Sequence, residues 1–210
     1  YPLRRQRQMC IRDREEKIMS AHKPLEGVKV VELASFVAAP TAGRMMAEMG
    51  ADVIRVESTA GDPWRFYGAN CGLPITDEEN PLFDIYNLGK KDIQLNTKTP
   101  EGKEILFHLL DEADVFITNN RLKSLVRSGL DYESLKDRFP KLIYGLVTGY
   151  GQTGPDVDAP GYDGVAFFSR SGMLADMAEP SGYPASAPGC IGDGATAVSY
   201  THLTLPTKRI

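Results

Sequence analysis

The chain has 210 residues, 42% hydrophobic and 25% charged, a composition that suits a globular protein with one sizeable core. Its net charge is −4, yet the first 14 residues carry +4 and the last 12 carry +2, which leaves −10 on the body between them. An acidic body lacks the concentrated basic surface that nucleic acid requires, no apolar run approaches the roughly 20 residues of a membrane span, and no signal-peptide core opens the chain. A cytoplasmic protein with neither nucleic acid nor membrane as partner is expected. Cys10, Cys71 and Cys190 are odd in number and widely spaced, which fits reduced thiols rather than a disulfide framework or a zinc cluster.

The terminal strings YPLRRQRQMCIRDR (1–14) and SYTHLTLPTKRI (199–210) resemble translated sequencing-adapter read-through and are set aside as non-native tails. The alternatives are a basic N-terminal arm and a short final strand over the alternating THLTL. Residues 15–198 then form one domain segment, with Met19 as the native start and the protein continuing beyond Val198.

In chain order, VKVVEL (28–33) is β-rich, PTAGRMMAEMG (40–50) has helical spacing and a terminal glycine, and ADVIRVE (51–57) is β-rich again, so a βαβ unit opens the domain. An irregular stretch through Pro63, Gly72 and Pro74 leads to strand-like IQLN (93–96). TPEGKEILFHLLDEA follows as a helix with Thr99 as N-cap, Pro100 at the first position, and Ile105, Leu106, Leu109 and Leu110 on one face. DVFITN (114–119) and LIYGLV (142–147) supply further strands, with helical LKSLVRSG and DYESLKDRF between them. This alternation predicts an α/β fold, a Rossmann-like, mostly parallel sheet flanked by helices.

Gly149, Gly151 and Gly154 have G-x-G-x-x-G spacing after a strand, but Pro155 and the loop-like DVDAPGYD follow, so no helix N-terminus faces a pyrophosphate. These glycines read as a structural or substrate-shaping loop. Asp156, Asp158 and Asp163 suggest a calcium loop, but Phe167 stands where a bidentate Glu is needed, and no metal site is expected. His22, His108 and His202 offer little to a Ser-His-Asp or Cys-His arrangement, and Cys190, with no base near it in sequence, reads as a packing residue.

Gly192-Asp193-Gly194 precedes ATAV and reads as a helix beginning with Asp193 as N-cap. Such a carboxylate accepts backbone N–H bonds, feels the positive end of the helix dipole and stays ionised, while flanking glycines admit a large ligand. That suits a carboxylate nucleophile; a capped Asp-Gly turn is the plain alternative.

Together KPLEGVKVVELASFVAAPTAGRMMAEMGADVIRVES, GDPWR, NLGKKDIQLNTKTPEGKEIL, ADVFITNNR, LVRSGLDYESL, PKLIYGLVTGYGQTGP, PGYDGVAFFSRSG and IGDGA resemble, in order and from about Lys23 to Val198, the first half of a class III coenzyme A transferase, the L-carnitine dehydratase/bile acid-inducible protein F family. The resemblance implies that Asp193 is the nucleophile that forms an aspartyl-CoA thioester. It implies CoA-contacting positions at Leu95, Lys98, Asn119 and Arg127, a cleft lined by Val37 and Ala38, and an aromatic near the site at Tyr162. Without it, Lys98 and Arg127 read as surface salt-bridge partners and Asn119 as a strand-end cap.

The resemblance further implies an acyl-CoA and a small carboxylic acid as substrates, CoA as substrate rather than resident cofactor, an interlocked homodimer, and a glycine loop in a second half. Val37, Ser58, Asn120 and Pro160 depart from the pattern of oxalate-using members, where a glutamine, an arginine, an aromatic and a lysine stand, which points to a less polar acyl group. SFVAAPTAGRM, ENPLFDIYN, FITNNR and AFFSRSG look most like the subgroup acting on 2-hydroxy acids and 2-enoates. A carnitine- or formyl/oxalate-type transferase, a non-catalytic CoA-binding fragment and a 2-methylacyl-CoA racemase are the alternatives, the last disfavoured because Tyr162 stands where that chemistry needs a His base.

Overall fold

The β-rich runs form β1 (Lys29–Leu33), β2 (Asp52–Glu57), β3 (Lys91–Gln94), β4 (Val115–Thr118) and β5 (Ile143–Leu146), one sheet in the order β3-β2-β1-β4-β5. The computed structural model describes residues 23–76, 78–180, 182–184 and 189–204; segments 1–14 and 205–210 lie outside these. Every pairing in the sheet is parallel, and the order is that of a doubly wound Rossmann-type fold. Alternation along each strand feeds two cores. Val30, Val53, Val115 and Ile117 pack on one face with Ala39 and Met46, whereas Val31, Val56 and Phe116 pack on the other with Leu106, Leu110 and Leu125.

The connections are helical: α1 (Ala38–Glu48), α2 (Trp64–Tyr67) running into a 3₁₀ turn, α3 (Pro81–Asn87), α4 (Pro100–Asp111), α5 (Leu122–Ser128) and α6 (Tyr132–Leu135). Thr99 caps α4 as expected, its hydroxyl accepting the Gly102 N–H at 3.2 Å with Pro100 in the first turn. Leu106 and Leu110 are its buried stripe, while Ile105 points outward at 47% exposure. After β5 come a π-helical turn (Asp163–Ser169), α7 (Met173–Asp176) and α8 (Ile191–Thr204). Residues 199–204 continue α8, so the final strand suggested by THLTL does not form. No helix among the described residues is long and apolar enough to cross a membrane.

Charges sit where the strand pattern alone would put apolar side chains. Glu32 and Arg55 are register partners on β1 and β2, and both are fully buried. Arg55 donates to Glu57, to Asp62 and, at 3.0 Å, to Asp92; Arg65 donates to Glu57 at 2.7 Å and to Asp92 at 2.6 Å. Lys90 Nζ reaches Glu32 at 2.8 Å and the Pro40 carbonyl at 2.7 Å. Burial pushes the Glu57 carboxyl up, but the hydrogen bonds and charges of Arg65 and Arg55 outweigh it and hold Glu57 down at about 2. Gly43 belongs to this cluster, since a Cβ there would lie 1.9 Å from Glu32 Oε2; a mid-helix glycine makes room for the buried acid.

Candidate functional site

In an open parallel sheet, ligands bind beyond the carboxyl ends of the strands where the strand order reverses, here between β1 and β4. Asn119, just past β4, ties that point together: its Oδ1 accepts the Ser35 N–H at 3.1 Å and its Nδ2 donates to the Ser35 carbonyl at 2.7 Å. A cavity of about 1120 Å³ opens there, lined by the segments 35–38, 119–122, 147–149, 159–164 and 166–168, by Trp64 and Tyr67, and by the start of α8.

Asp193 lies in this cavity, but not as an N-cap. Helix α8 begins at Ile191, so Asp193 falls within its first turn, and the helix start is capped from a distance by Asp163. The Asp163 carboxylate accepts the Cys190 N–H at 3.1 Å and the Asp193 N–H at 2.8 Å. The expectation of an Asp193 stabilised by backbone donors is therefore corrected. Burial, reinforced by the neighbouring Asp163 charge, pushes the Asp193 carboxyl up to about 6, and no hydrogen-bond donor among the described residues engages it. A carboxylate of this kind remains largely ionised at neutral pH and is more basic than an ordinary Asp, which favours attack on an electrophile.

The flanking glycines divide their tasks. A Cβ on Gly192 would lie 2.2 Å from Phe167 Cγ, so that glycine serves packing, whereas Gly194 faces open space. Gly149 packs against Gly161, where a Cβ would approach the opposing Cα to 2.4 Å, and Gly151 and Gly154 take φ of 84° and 97°, so the G-x-G-x-x-G run is a structural loop. The three acids considered for calcium diverge: Asp156 pairs with Arg170, Asp158 with Lys123, and Asp163 with the start of α8.

Of the residues singled out in sequence, Val37, Ala38, Asn119, Tyr162 and Asp193 meet in the cavity. Val37 is only 1% exposed, so it contributes packing more than contact. Leu95 and Lys98 follow β3 on the same carboxyl edge but do not line the cavity; Leu95 is half-buried against the second core and Lys98 is exposed. Arg127 is exposed in the last turn of α5, again outside the cavity lining. A Cβ on Gly129 would lie 3.3 Å from Lys103 Nζ, so the start of α4 and the end of α5 adjoin. Ser58 is also outside the cavity lining, its hydroxyl donating to the Gly61 carbonyl at 3.2 Å; Asn120 and Pro160 do line it.

Sequence reasoning missed three contributors. Arg121 brings a cation to the cavity at the start of α5; a basic residue in the short turn between a strand's carboxyl end and the next helix was the available signal. Asp163 acts across 30 residues, which no local pattern reveals. An aromatic wall also forms: Phe36 meets Trp64 at 6.4 Å and Tyr162 at 6.1 Å, and Trp64 stacks on Tyr67 at 4.6 Å. Cys190 stays a packing residue, its thiol pushed up by burial and facing the Tyr86 hydroxyl.

A Rossmann-order sheet with a buried carboxylate of raised basicity in its switch-point cavity defines an α/β domain suited to covalent group transfer. The chain belongs to CoA-transferase family III, whose sequence pattern matches residues 25–205. It is 50% identical over 167 residues to cinnamoyl-CoA:phenyllactate CoA-transferase of Clostridium sporogenes, covering 80% of this chain and 40% of that protein. It is 44% identical over 169 residues to (R)-2-hydroxy-4-methylpentanoate CoA-transferase of Clostridioides difficile, covering 80% and 42% respectively. The crystal structure of a CAIB/BAIF family protein from Brucella suis superposes with a TM-score of 0.79 at 38% identity, over 88% of this chain and 49% of that one. The chain thus spans less than half the length of these relatives.

Proposed function

We propose that a family-length protein carrying these residues transfers coenzyme A between an acyl-CoA thioester and a carboxylic acid, with Asp193 as nucleophile. The observation that carries this reading is the Asp193 carboxylate itself, inside the cavity, unengaged by any described donor and raised to about 6. Its oxygen attacks the thioester carbonyl, forming a mixed anhydride and releasing CoA thiolate. The thiolate attacks the aspartyl carbonyl, giving an aspartyl-CoA thioester and freeing the first acid. The acceptor carboxylate then reverses the sequence, and Asp193 is regenerated. Covalent catalysis divides one difficult exchange into easier steps.

The substrate pair is a 2-hydroxy acid and a 2-enoate with an apolar acyl chain. The aromatic wall, the absence of polar side chains at Val37 and Pro160, and the names of the two clostridial relatives support this. Arg121 holds a carboxylate or phosphate oxygen at the cavity; Lys98 and Arg127, exposed beyond it, take the charged nucleotide end of CoA, with Leu95 and Asn119 along the way. Such a protein works as a cytoplasmic homodimer, and exposed Phe66, Ile85 and Leu88 support a surface that another polypeptide covers.

Asp193→Ala and Asp193→Asn should abolish transfer while CoA-ester binding persists, and mass spectrometry of the unsubstituted protein with acyl-CoA should find the CoA adduct on the Asp193 peptide. Substantial transfer by the Ala variant would remove Asp193 as nucleophile. In competition, a cinnamoyl- or isocaprenoyl-type pair should outrun formyl-CoA with oxalate; the reverse order would overturn the substrate class.

A further inference from the structure

We propose that Asp62 is a positioning residue: its carboxylate, backed by Arg55, holds the main chain of Phe36 and Trp64 so that their rings form the acyl-selecting wall of the cavity. The starting observation is strain. Phe36 has φ of 63°, a left-handed conformation that a bulky residue adopts only when its surroundings impose it. Its N–H lies 3.2 Å from each Asp62 carboxylate oxygen, and the Trp64 N–H donates to Oδ1 at 2.9 Å. One buried acid thus pins the segment after β1 and the start of α2 together.

Asp62 is itself fixed from behind. It is 2% exposed, its N–H donates to Glu57 Oε1 at 2.6 Å, and Arg55 Nη2 donates to its Oδ2. Glu57 and Asp92 hold Arg55 in turn, and Glu32 Oε1 lies 3.5 Å from its Nε. None of these charged residues lines the cavity, so the cluster acts on a ligand only through the two rings it places. Phe36 then reaches Tyr162, and Trp64 reaches Tyr67, so the wall is continuous from the β1 end to the π-helical turn. Neither aromatic could keep its place if the Asp62 carboxylate released both N–H groups, because the left-handed Phe36 would relax.

The selectivity part rests on the transferase reading above, but the clamp does not, and the test separates them. Trp64 is the single tryptophan of the chain, so intrinsic fluorescence reports its position directly. In the 210-residue chain, Asp62→Asn should raise acrylamide quenching of Trp64 severalfold with the far-UV circular dichroism unchanged. Arg65→Lys alters a side chain of the same cluster that bonds Glu57 and Asp92 rather than the Asp62 carboxylate, and it keeps the Arg65 N–H bond to the Asp62 carbonyl, so it should leave quenching as it is. Calorimetry should show the preference for cinnamoyl-CoA over acetyl-CoA falling about tenfold in Asp62→Asn and holding in Arg65→Lys. Unchanged quenching in Asp62→Asn, or equal changes in both variants, overturns the clamp. If altered quenching comes with an unaltered preference, the clamp stands and its role in selectivity fails. If the unsubstituted chain binds neither thioester, the preference is measured in a family-length protein, whose failure to bind overturns the transferase reading, while quenching in the 210-residue chain still decides the clamp. Should Asp62→Asn not fold, Asp62→Glu takes its place: it keeps the charge but displaces the carboxylate by one methylene, so the same loss of shielding is expected and its absence is fatal.

Discussion

The Asp163 carboxylate accepts the backbone N–H of Asp193 at 2.8 Å while its own charge opposes ionisation of the Asp193 side chain. One acid therefore orders the start of α8 and makes the other acid more basic. In a family-length protein, the acid limb of kcat/KM should follow Asp193 near pH 6 and move to lower pH in Asp163→Asn, because a neutral neighbour favours the ionised form. The variant should also lose about 1 kcal/mol of stability with its helix-capping charge. A pH–rate profile with an unmoved or raised limb would show that Asp163 does not tune Asp193.

Asp193 carries a cost in stability. Its carboxyl ordinarily titrates at 3.8 and sits at about 6 in the fold, so its contribution is intact below 3.8 and is lost as pH rises through 6. Allowing for its partial exposure, the loss is about 1–2 kcal/mol. Asp193→Asn should accordingly be more stable than the parent at neutral pH and nearly equal to it near about pH 4, as urea titrations would reveal. Equal stability at both pH values would contradict the raised carboxyl.

Gly192 and Gly194 should respond differently to the same methyl group. Gly192→Ala forces a Cβ into Phe167 and should lower stability by about 1–3 kcal/mol, whereas Gly194→Ala meets open space and should fold normally. If Gly194→Ala abolishes transfer while melting like the parent, that glycine admits ligand. Thermal melts of both variants decide the packing assignment, which fails if Gly192→Ala is neutral.

For CoA-ester binding, Arg121→Ala should cost about 1.5–3 kcal/mol, the range of a hydrogen bond to a charged group. Lys98→Ala and Arg127→Ala should cost less, because these exposed cations lie outside the cavity that the equally exposed Arg121 lines, and their effect should fade with added salt as open solvent screens them. Calorimetry at two ionic strengths orders the three. A larger loss at Lys98 than at Arg121 would move the main phosphate contact out of the cavity.

The sheet was readable because β-rich runs and helix signals such as Thr99-Pro100 are local. The parallel order follows from their alternation, and family motifs carried Asp193 and Asn119 to the cavity. What escaped has a common physical origin. Glu32, Arg55 and Glu57 lie in strands where single-residue reasoning expects solvent-facing charge, yet each is buried in one cluster that ties neighbours such as Arg55 and Glu57 to residues far along the chain, Lys90 on Glu32 and Asp92 on Arg55. The helix start was misplaced because its capping acid comes from the π-helical turn rather than from the residues next to it. Lys98 and Arg127 were assigned by type and motif, which fix neither their distance from a cavity nor their exposure.

The strand order also dictates how this domain assembles. β1 pairs with β2 across a short βαβ unit, but the Thr118 hydroxyl that donates to the Leu33 carbonyl bridges 85 residues, and closing so long a loop is entropically slow. The half-sheet β3-β2-β1 can form from neighbouring segments, while the other half must wait for β4 to arrive. Asn119, latched onto Ser35, is in place only once that late step is complete. Damage at this amide would therefore register first as slow refolding, before any ligand is offered.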